Sequence, residues 1–353
     1  MQMTKWLTGA LTAGLVLAAG AAFAQTVGPA GEAATPSAEV TLSDADIAAL
    51  KDKGYKAALL WHTSSDFTNA VGQGATDEFK RAGIDIAVTT DAQFDAARQR
   101  SDIETALAAK PNVILALPLD PVTSAEAFRQ AVTDGAKLVF LSNVPKDYKH
   151  GADYAAIVTD DLYQMGKQAA DALAKSIGGK GKVGYIFHDA TYYVTNQRDQ
   201  AFKSTIEKDY PDIKIVAEQG ISDPARAEEL ASAMLLQNPD LDGIYVTWAE
   251  PADGVLAALR SAGNTRTKIV TLDLAEPVAL DMVKGGNVTA LVADKAYELG
   301  RAMAAAGMKS LLGQETPAFV VAPALTVTRE NVSQGWKDSL NRDAPQSVLD
   351  AAK

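Results

Sequence analysis

The polar residues that could do chemistry gather in a few short segments. These are HTSSDFTN (His62 to Asn69), Ser142-Asn143, HDATYYVTNQRDQAF (His188 to Phe202), Ser222-Asp223, TWAEP (Thr247 to Pro251), LDLAE (Leu272 to Glu276) and VADKAYELG around Asp294. Together they offer hydroxyl, amide and carboxylate groups, one arginine and several aromatic rings. A carboxylate accepts hydrogen bonds from two hydroxyls, and such charge-assisted bonds are roughly twice as strong as neutral ones. Arg198 adds a planar fork of donors. Phe67, Tyr193 and Trp248 can stack on the C–H faces of a small saturated ring. The chemistry implied is recognition of a polyhydroxylated molecule. The candidate contacts are Ser65, Asp66, Phe67, Asn143, Tyr193, Asn196, Arg198, Trp248, Glu250, Asp273 and Asp294. Structural roles compete for several of them. Asp66 and Asp273 precede helical patterns and could cap them, Arg198 could pair with Asp199 or Glu207 on a surface, and Trp248 could be core.

Other chemistries lack their residues. Gly72-Gln73-Gly74 is followed by Asp77, so no dinucleotide fingerprint follows a strand, and the GGKGK run (Gly178 to Lys182) precedes a strand where a phosphate loop would precede a helix. GxSxG is absent, and a chain with no cysteine has no thiol nucleophile. Its three histidines form no His-x-x-x-His spacing, which argues against a metal. PDLDG (Pro239 to Gly243) lacks the alternating oxygen ligands of a calcium loop. The expectation is a binding protein without cofactor or metal, not an enzyme.

The elements that hold these segments repeat. Apolar, β-branched runs at Lys56–Trp61, Ile84–Thr89, Asn112–Leu117 and Lys137–Leu141 alternate with helical patterns at Phe67–Ala82, Phe94–Ala109 and Ser124–Asp134. A second series has strands at Lys182–His188, Ile213–Glu218, Gly243–Trp248 and Lys268–Leu272, with helices at Asn196–Asp209, Pro224–Gln237, Ala252–Ala262 and Glu276–Val283. Continuous apolar strands alternating with helices predict parallel sheets covered on both faces. The fold class is therefore α/β, with two doubly wound, Rossmann-like lobes. Ligands of such sheets bind beyond the carboxyl ends of the strands, so facing lobes share a cleft. Extra strand-like runs at Tyr154–Thr159, Val288–Ala293 and Ala318–Val321 predict a three-segment hinge, with crossings near Thr159–Asp160, Asp294 and Ala324. The expected domains are residues 55–159 with 295–323, and 160–294 with 324–353.

The amino terminus reads differently. Lys5, the uncharged run Leu7–Ala19 and Ala22-Phe23-Ala24 compose a cleavable export signal, residues 1–24, cut before Gln25. Residues 25–54 read as a flexible leader, rich at first in Ala, Gly, Pro, Thr and Ser. With no cysteine at the cut, no lipid anchor is expected, and no later run is apolar enough to span a bilayer. The product should be free in a Gram-negative periplasm. A net charge of −11 over 353 residues argues against nucleic acid and anionic membranes.

The ordered set of strand-end motifs, from Lys56 to about Val327, resembles the ribose-binding type of periplasmic sugar-binding protein, the substrate receptors of ABC importers. Ser65, Asp66 and Phe67 occupy the stretch where that family places a polar residue and stacking aromatics, with Thr68 in place of a second aromatic. Ser142-Asn143 stand where the family has an Asp-Arg pair. Arg198 matches the family's second-lobe arginine, Asp273 its V-x-F-D aspartate, and Asp294 the polar residue of the last crossing. Trp248, Ala249 and Glu250 fall near the family's Asn-Asp. The resemblance implies a monomer that closes on a neutral monosaccharide or sugar alcohol and hands it to an inner-membrane ABC permease. The alternative is a sensor for a sugar or furanosyl signalling molecule that feeds a chemoreceptor or sensor kinase. Transcription factors of the lactose-repressor family share such a core, but they begin with a DNA-binding segment where this chain has an export signal.

Overall fold

The computed structural model describes residues 26–353, and the expected signal cleavage site lies outside them. The first sheet is built from Thr35–Pro36 (β1), Lys56–Trp61 (β2), Asp85–Asp91 (β3), Val113–Ala116 (β4), Lys137–Leu141 (β5), Ala156–Asp160 (β6) and Phe319–Ala322 (β12). The second contains Gly181–His188 (β7), Ile213–Ile221 (β8), Gly243–Val246 (β9), Lys268–Leu272 (β10), Val288–Ala293 (β11) and Leu325–Val327 (β13). Their orders are β1-β12-β6-β5-β4-β2-β3 and β13-β11-β10-β9-β7-β8. Every pair is parallel except β13 with β11. Central strands such as β4 and β9 are buried throughout, because helices cover both faces. Edge strand β3 alternates between more and less exposed positions.

The chain passes between the sheets after Asp160, after Ala293, and between Ala322 and Leu325. The helices that follow the first two passages pack by close approach. Leu162–Ser176 (α5) lies on Tyr193–Asp209 (α6), and Ala296–Leu311 (α10) lies on Asp66–Arg81 (α2). Glycines permit this. A Cβ at Gly166 would collide with the Arg198 carbonyl, and one at Gly300 with the Val71 carbonyl.

Several helices begin earlier than hydrophobic spacing predicts. Pro121–Thr133 (α4), α6 and Ala249–Ser261 (α8) each start three residues before the expected Ser124, Asn196 and Ala252. First turns that face a cleft contribute little apolar periodicity. For α4 the start is fixed by Asp120, whose carboxylate accepts from the Val122 and Thr123 amides, and by Pro121 at the first helical position.

The expected flexible leader is instead folded. Asp44–Leu50 (α1) opens with a reciprocal Ser43–Asp46 capping box, and Val40, Leu42, Ile47 and Leu50 are buried. Strand β1 extends the first sheet beside β12, and Ser37 donates to Glu298 of α10. Sparse apolar residues in an Ala/Gly/Pro-rich stretch were enough, because each finds a prepared surface. Farther upstream, the Thr26 hydroxyl donates to Asp161 at 2.7 Å and accepts from the Tyr163 amide at 2.9 Å, at the start of α5. The carboxyl-terminal segment, expected with the second lobe, touches both. Its Gln346–Ala352 (α12) packs on Glu276–Val283 (α9), while Val332–Leu340 (α11) lies against α2 and α10 through a buried Val332, Trp336, Leu340 stripe.

Replacing Gly300 by alanine should lower stability by about 1–3 kcal/mol, the usual range for overpacking, and the neighbouring Ala302→Gly should cost only about 1 kcal/mol. Urea titrations of the two variants check this; equal losses would mean that the helix contact is not tight.

Candidate functional site

Carboxyl ends of the strands from both sheets meet around one cavity of about 100 Å3. The first lobe contributes His62 after β2, Ser65, Asp66 and Phe67 at the start of α2, and Phe94 after β3. It also gives Leu117 and Leu119 after β4, Ser142 and Asn143 after β5, and Asp160 at the end of β6. The second lobe contributes His188 at the end of β7, Tyr192, Val194, Thr195 and Arg198 from α6 and its approach, and Trp248 and Glu250 beyond β9. Asp273 to Ala275 follow β10 and Asp294 follows β11. The lobes touch at the rim, where the Val194 amide donates to the Asn143 carboxamide oxygen at 3.4 Å.

Nine of the eleven sequence-derived candidates therefore line one cavity; Tyr193 and Asn196 do not. Those two line an adjoining pocket with Asn143 and Tyr192, and helical geometry separates the two sets. Residues 192, 195 and 198 share a face of α6, and 193 and 196 are turned about 100° away. Tyr193 instead donates to the Val27 carbonyl of the leader and meets Phe319 edge-on, while Asn196 is exposed. The competing roles resolve unevenly. Ser65 caps α2 through its side chain, Asp66 pairs with Arg342 of the tail, and Asp273 caps nothing, since Ala275 stands at the start of α9. Trp248 borders the cavity and packs edge-on against His188, ring centres 4.9 Å apart.

Arg198 is the centre of the charge arrangement. It is 5% exposed, and its Nη1 donates to Asp273 at 3.0 Å and its Nη2 to the Thr247 carbonyl at 3.2 Å. Burial opposes its charge, yet Asp273 and then Asp294 hold its pKa above the ordinary arginine value. Beside it Asp199 is also buried but fully engaged, accepting from the His188 amide, the Tyr245 hydroxyl and the Thr247 hydroxyl. Burial raises the pKa of Asp199. At the hinge, Asp160 and Asp294 lie carboxyl to carboxyl, each at the end of a crossing strand. Burial raises both; for Asp294 the neighbouring charges of Asp273 and Asp160 add to it. Glu250 stands at the rim, open to solvent on one side but crowded by the cleft walls. That loss of water, then Asp273, pushes its carboxyl up.

The aromatic wall is preorganised. His188 is held by a 2.8 Å hydrogen bond between Nδ1 and Thr195, and burial, then Arg198, lower its pKa to about 4. His62 meets Phe94 edge-on at 5.1 Å, and burial lowers it to about 4 as well. Both rings are neutral near pH 7. The backbone also bends toward the cavity at equivalent places in the two lobes. Ser142 (φ 58°) and Asp273 (φ 65°) each take the left-handed conformation just after the strand beside a crossing strand. Such conformations cost about 1–3 kcal/mol and cluster at functional sites.

Sequence reasoning missed His62, Phe94, Ser142, Asp160, His188, Tyr192 and Thr195 as cavity residues. Phasing the helix on Arg198 would have selected Tyr192 and Thr195. Reading every strand end alike would have added Phe94 and Asp160. Ser222-Asp223, after edge strand β8, take no part.

The fold and site define a two-lobed receptor with a ligand cleft. A family model of the periplasmic binding protein domain matches residues 56–315, and the chain belongs to that family. It is 27% identical over 278 residues to the D-allose-binding periplasmic protein of Escherichia coli, covering 75% of this chain and 86% of that one. A putative rhizopine-binding protein of Rhizobium meliloti is 24% identical over 255 residues, covering 71% and 82%. Among solved structures, an ABC transporter solute-binding protein of Agrobacterium vitis bound with α-D-tagatopyranose superposes with a TM-score of 0.72 at 23% identity, covering 79% of this chain and 96% of that one. One from Actinobacillus succinogenes with bound D-allose gives 0.67 at 25% identity, covering 78% and 98%.

His188 supplies a pH test. Its pKa is lower folded than the ordinary 6.5, so its contribution to stability is present above pH 6.5 and is lost as pH falls toward 4. Relative to a His188→Gln variant, the wild-type protein should lose up to about 3 kcal/mol across that window. Thermal melts at half-unit pH steps measure it; a pH-independent gap would contradict the assignment.

Proposed function

We propose that this protein is a periplasmic solute receptor that closes two lobes on a neutral monosaccharide or sugar alcohol and delivers it to an ABC import permease. One observation carries the reading. Among the described residues, six buried side-chain polar atoms lack a protein partner, and three of them, on His62, Asp160 and Arg198, belong to residues lining the cavity at the strand ends. Native structures leave such atoms unpaired chiefly where a ligand or water completes them. Acceptors on carboxylates, donors on Arg198 and the flat faces of Trp248 and Phe67 suit a ring or chain of hydroxyls. The cavity is well below the roughly 300–1,000 Å3 of drug-sized sites, which favours one small ring. An anionic sugar acid is disfavoured because the one buried arginine is already matched by Asp273. Relatives that bind sugars, and neighbours solved with bound sugars, support the same reading.

Closure follows from ligand contacts on both lobes, since a ligand that binds the closed form better shifts the population toward it. The closed face is what a permease would read. Export through the signal at residues 1–24, a periplasmic location and a monomeric state belong to this proposal, which requires no cofactor and no reaction.

The test is thermal melting against pentoses, hexoses, deoxysugars and sugar alcohols. A ligand at 100 times its Kd should stabilise by about 2.7 kcal/mol, and scattering should show compaction. Silence across the whole panel would refute the receptor reading. Arg198→Ala should weaken the best ligand at least about 100-fold, because it strands Asp273 unpaired; retained affinity in calorimetry would contradict its role.

A further inference from the structure

Asp160 ends β6, the strand from which the chain first leaves the first lobe, and its position there suggests a connector. Its side chain says more. The residue is 2% exposed, lines the cavity, and keeps its Oδ1 without a protein partner. The groups around this carboxyl are Asp294, the Lys295 backbone, Arg198 and Asp273. Arg198 is equally committed and equally incomplete. Its two Nη atoms serve Asp273 and the Thr247 carbonyl, while Nε has no protein partner. Two atoms, Asp160 Oδ1 and Arg198 Nε, both buried and both on cavity-lining residues whose charges act on each other, therefore lack a conventional protein partner, although the Asp160 carboxyl also meets Asp294 and the Lys295 backbone.

Resting on the receptor reading above, we infer that Asp160 Oδ1 and Arg198 Nε form the subsite that selects one hydroxyl of the ligand. A hydroxyl is the one common sugar substituent that donates and accepts at once. Donating to Asp160 and accepting from Arg198, it completes both. A hydrogen in its place completes neither, a methyl ether can only accept, and an ammonium can only donate. A site built to bond a hydroxyl rejects the analogue lacking it far more strongly than a pocket rejects a change of size. Asp160 thereby becomes a specificity-determining residue, and Asp294, lying against it, the group that positions it.

Calorimetry with D-ribose, D-arabinose, D-allose, D-tagatose and xylitol, each beside its monodeoxy and mono-O-methyl counterparts, tests this. If no parent compound binds, the receptor reading itself fails. If one binds, the wild-type protein should reject the monodeoxy and the O-methyl analogue at one and the same carbon by about 100-fold or more. In Asp160→Ala that ratio should collapse to within about threefold, through loss of affinity for the parent and not for the deoxy compound. Asp160→Leu, which fills the space without an acceptor, should behave alike, and circular dichroism establishes that both variants fold. A merely structural Asp160 would weaken parent and analogue together and leave the ratio intact, which overturns the inference. Should neither variant fold, the wild-type series decides: weak discrimination at every carbon overturns the subsite, and strong discrimination at one carbon sustains it.

Discussion

The arrangement depends on one buried cation. Among the described residues Arg198 is the only arginine or lysine lining the cavity, and around it stand Asp160, Asp273 and Asp294, with Asp199 behind and Glu250 at the rim. Isolated carboxylates in such a place would be costly. They are tolerated because Asp273 pairs with the guanidinium, Asp199 is saturated by three donors, and burial raises Asp160 and Asp294, lowering the cost of holding them there. Each acid is thus handled differently, and the difference decides its use. Asp199 is spent on structure, and Asp273 on fixing Arg198. Asp160 keeps one oxygen without a protein partner at the hinge, and Asp294 lies against it.

The scaffold makes this placement accurate by doing the same thing twice. In each lobe the helix that follows a crossing lies at glycine distance on a helix that lines the cleft, α10 on α2 through Gly300 and Val71, and α5 on α6 through Gly166 and the Arg198 carbonyl. The second contact reaches the site directly, because the backbone it clamps is that of Arg198. In each lobe, too, the residue after the strand next to the crossing turns left-handed, Ser142 in one and Asp273 in the other. The lobes thus share a mechanism of support but differ in chemistry, a neutral hydroxyl on one side and a paired carboxylate on the other.

How much of this can be read from sequence follows the physics of each signal. Buried strands are legible because both faces are covered: the Lys56–Trp61, Lys137–Leu141, Lys268–Leu272 and Val288–Ala293 runs coincide with observed strands. The first turns of α4, α6 and α8 are not legible, since a turn aimed at a cleft has no apolar stripe. That blind spot leaves the phase of α6 open in sequence, so Tyr192 and Thr195, which line the cavity, do not stand out beside Tyr193 and Asn196. Asp160 was legible as a crossing but not as a cavity wall, because its partner Asp294 is more than a hundred residues away in the chain. The leader was misread because composition measures average polarity, and four well-placed apolar residues suffice to dock it.

That docked leader has a mechanical consequence. Its β1 belongs to the first sheet, while Thr26 and Val27 hold the start of α5 and Tyr193 of α6, which belong to the second. The stretch between them is a tether of about eight residues, reaching no more than about 28 Å at full extension. Any parting of the halves must draw in that slack or tear Thr26 from the α5 terminus, leaving its first amides uncapped. Thr26 and Val27 therefore couple the leader of the first lobe to the opening helices of the second, so relative movement of the lobes would have to pass through them.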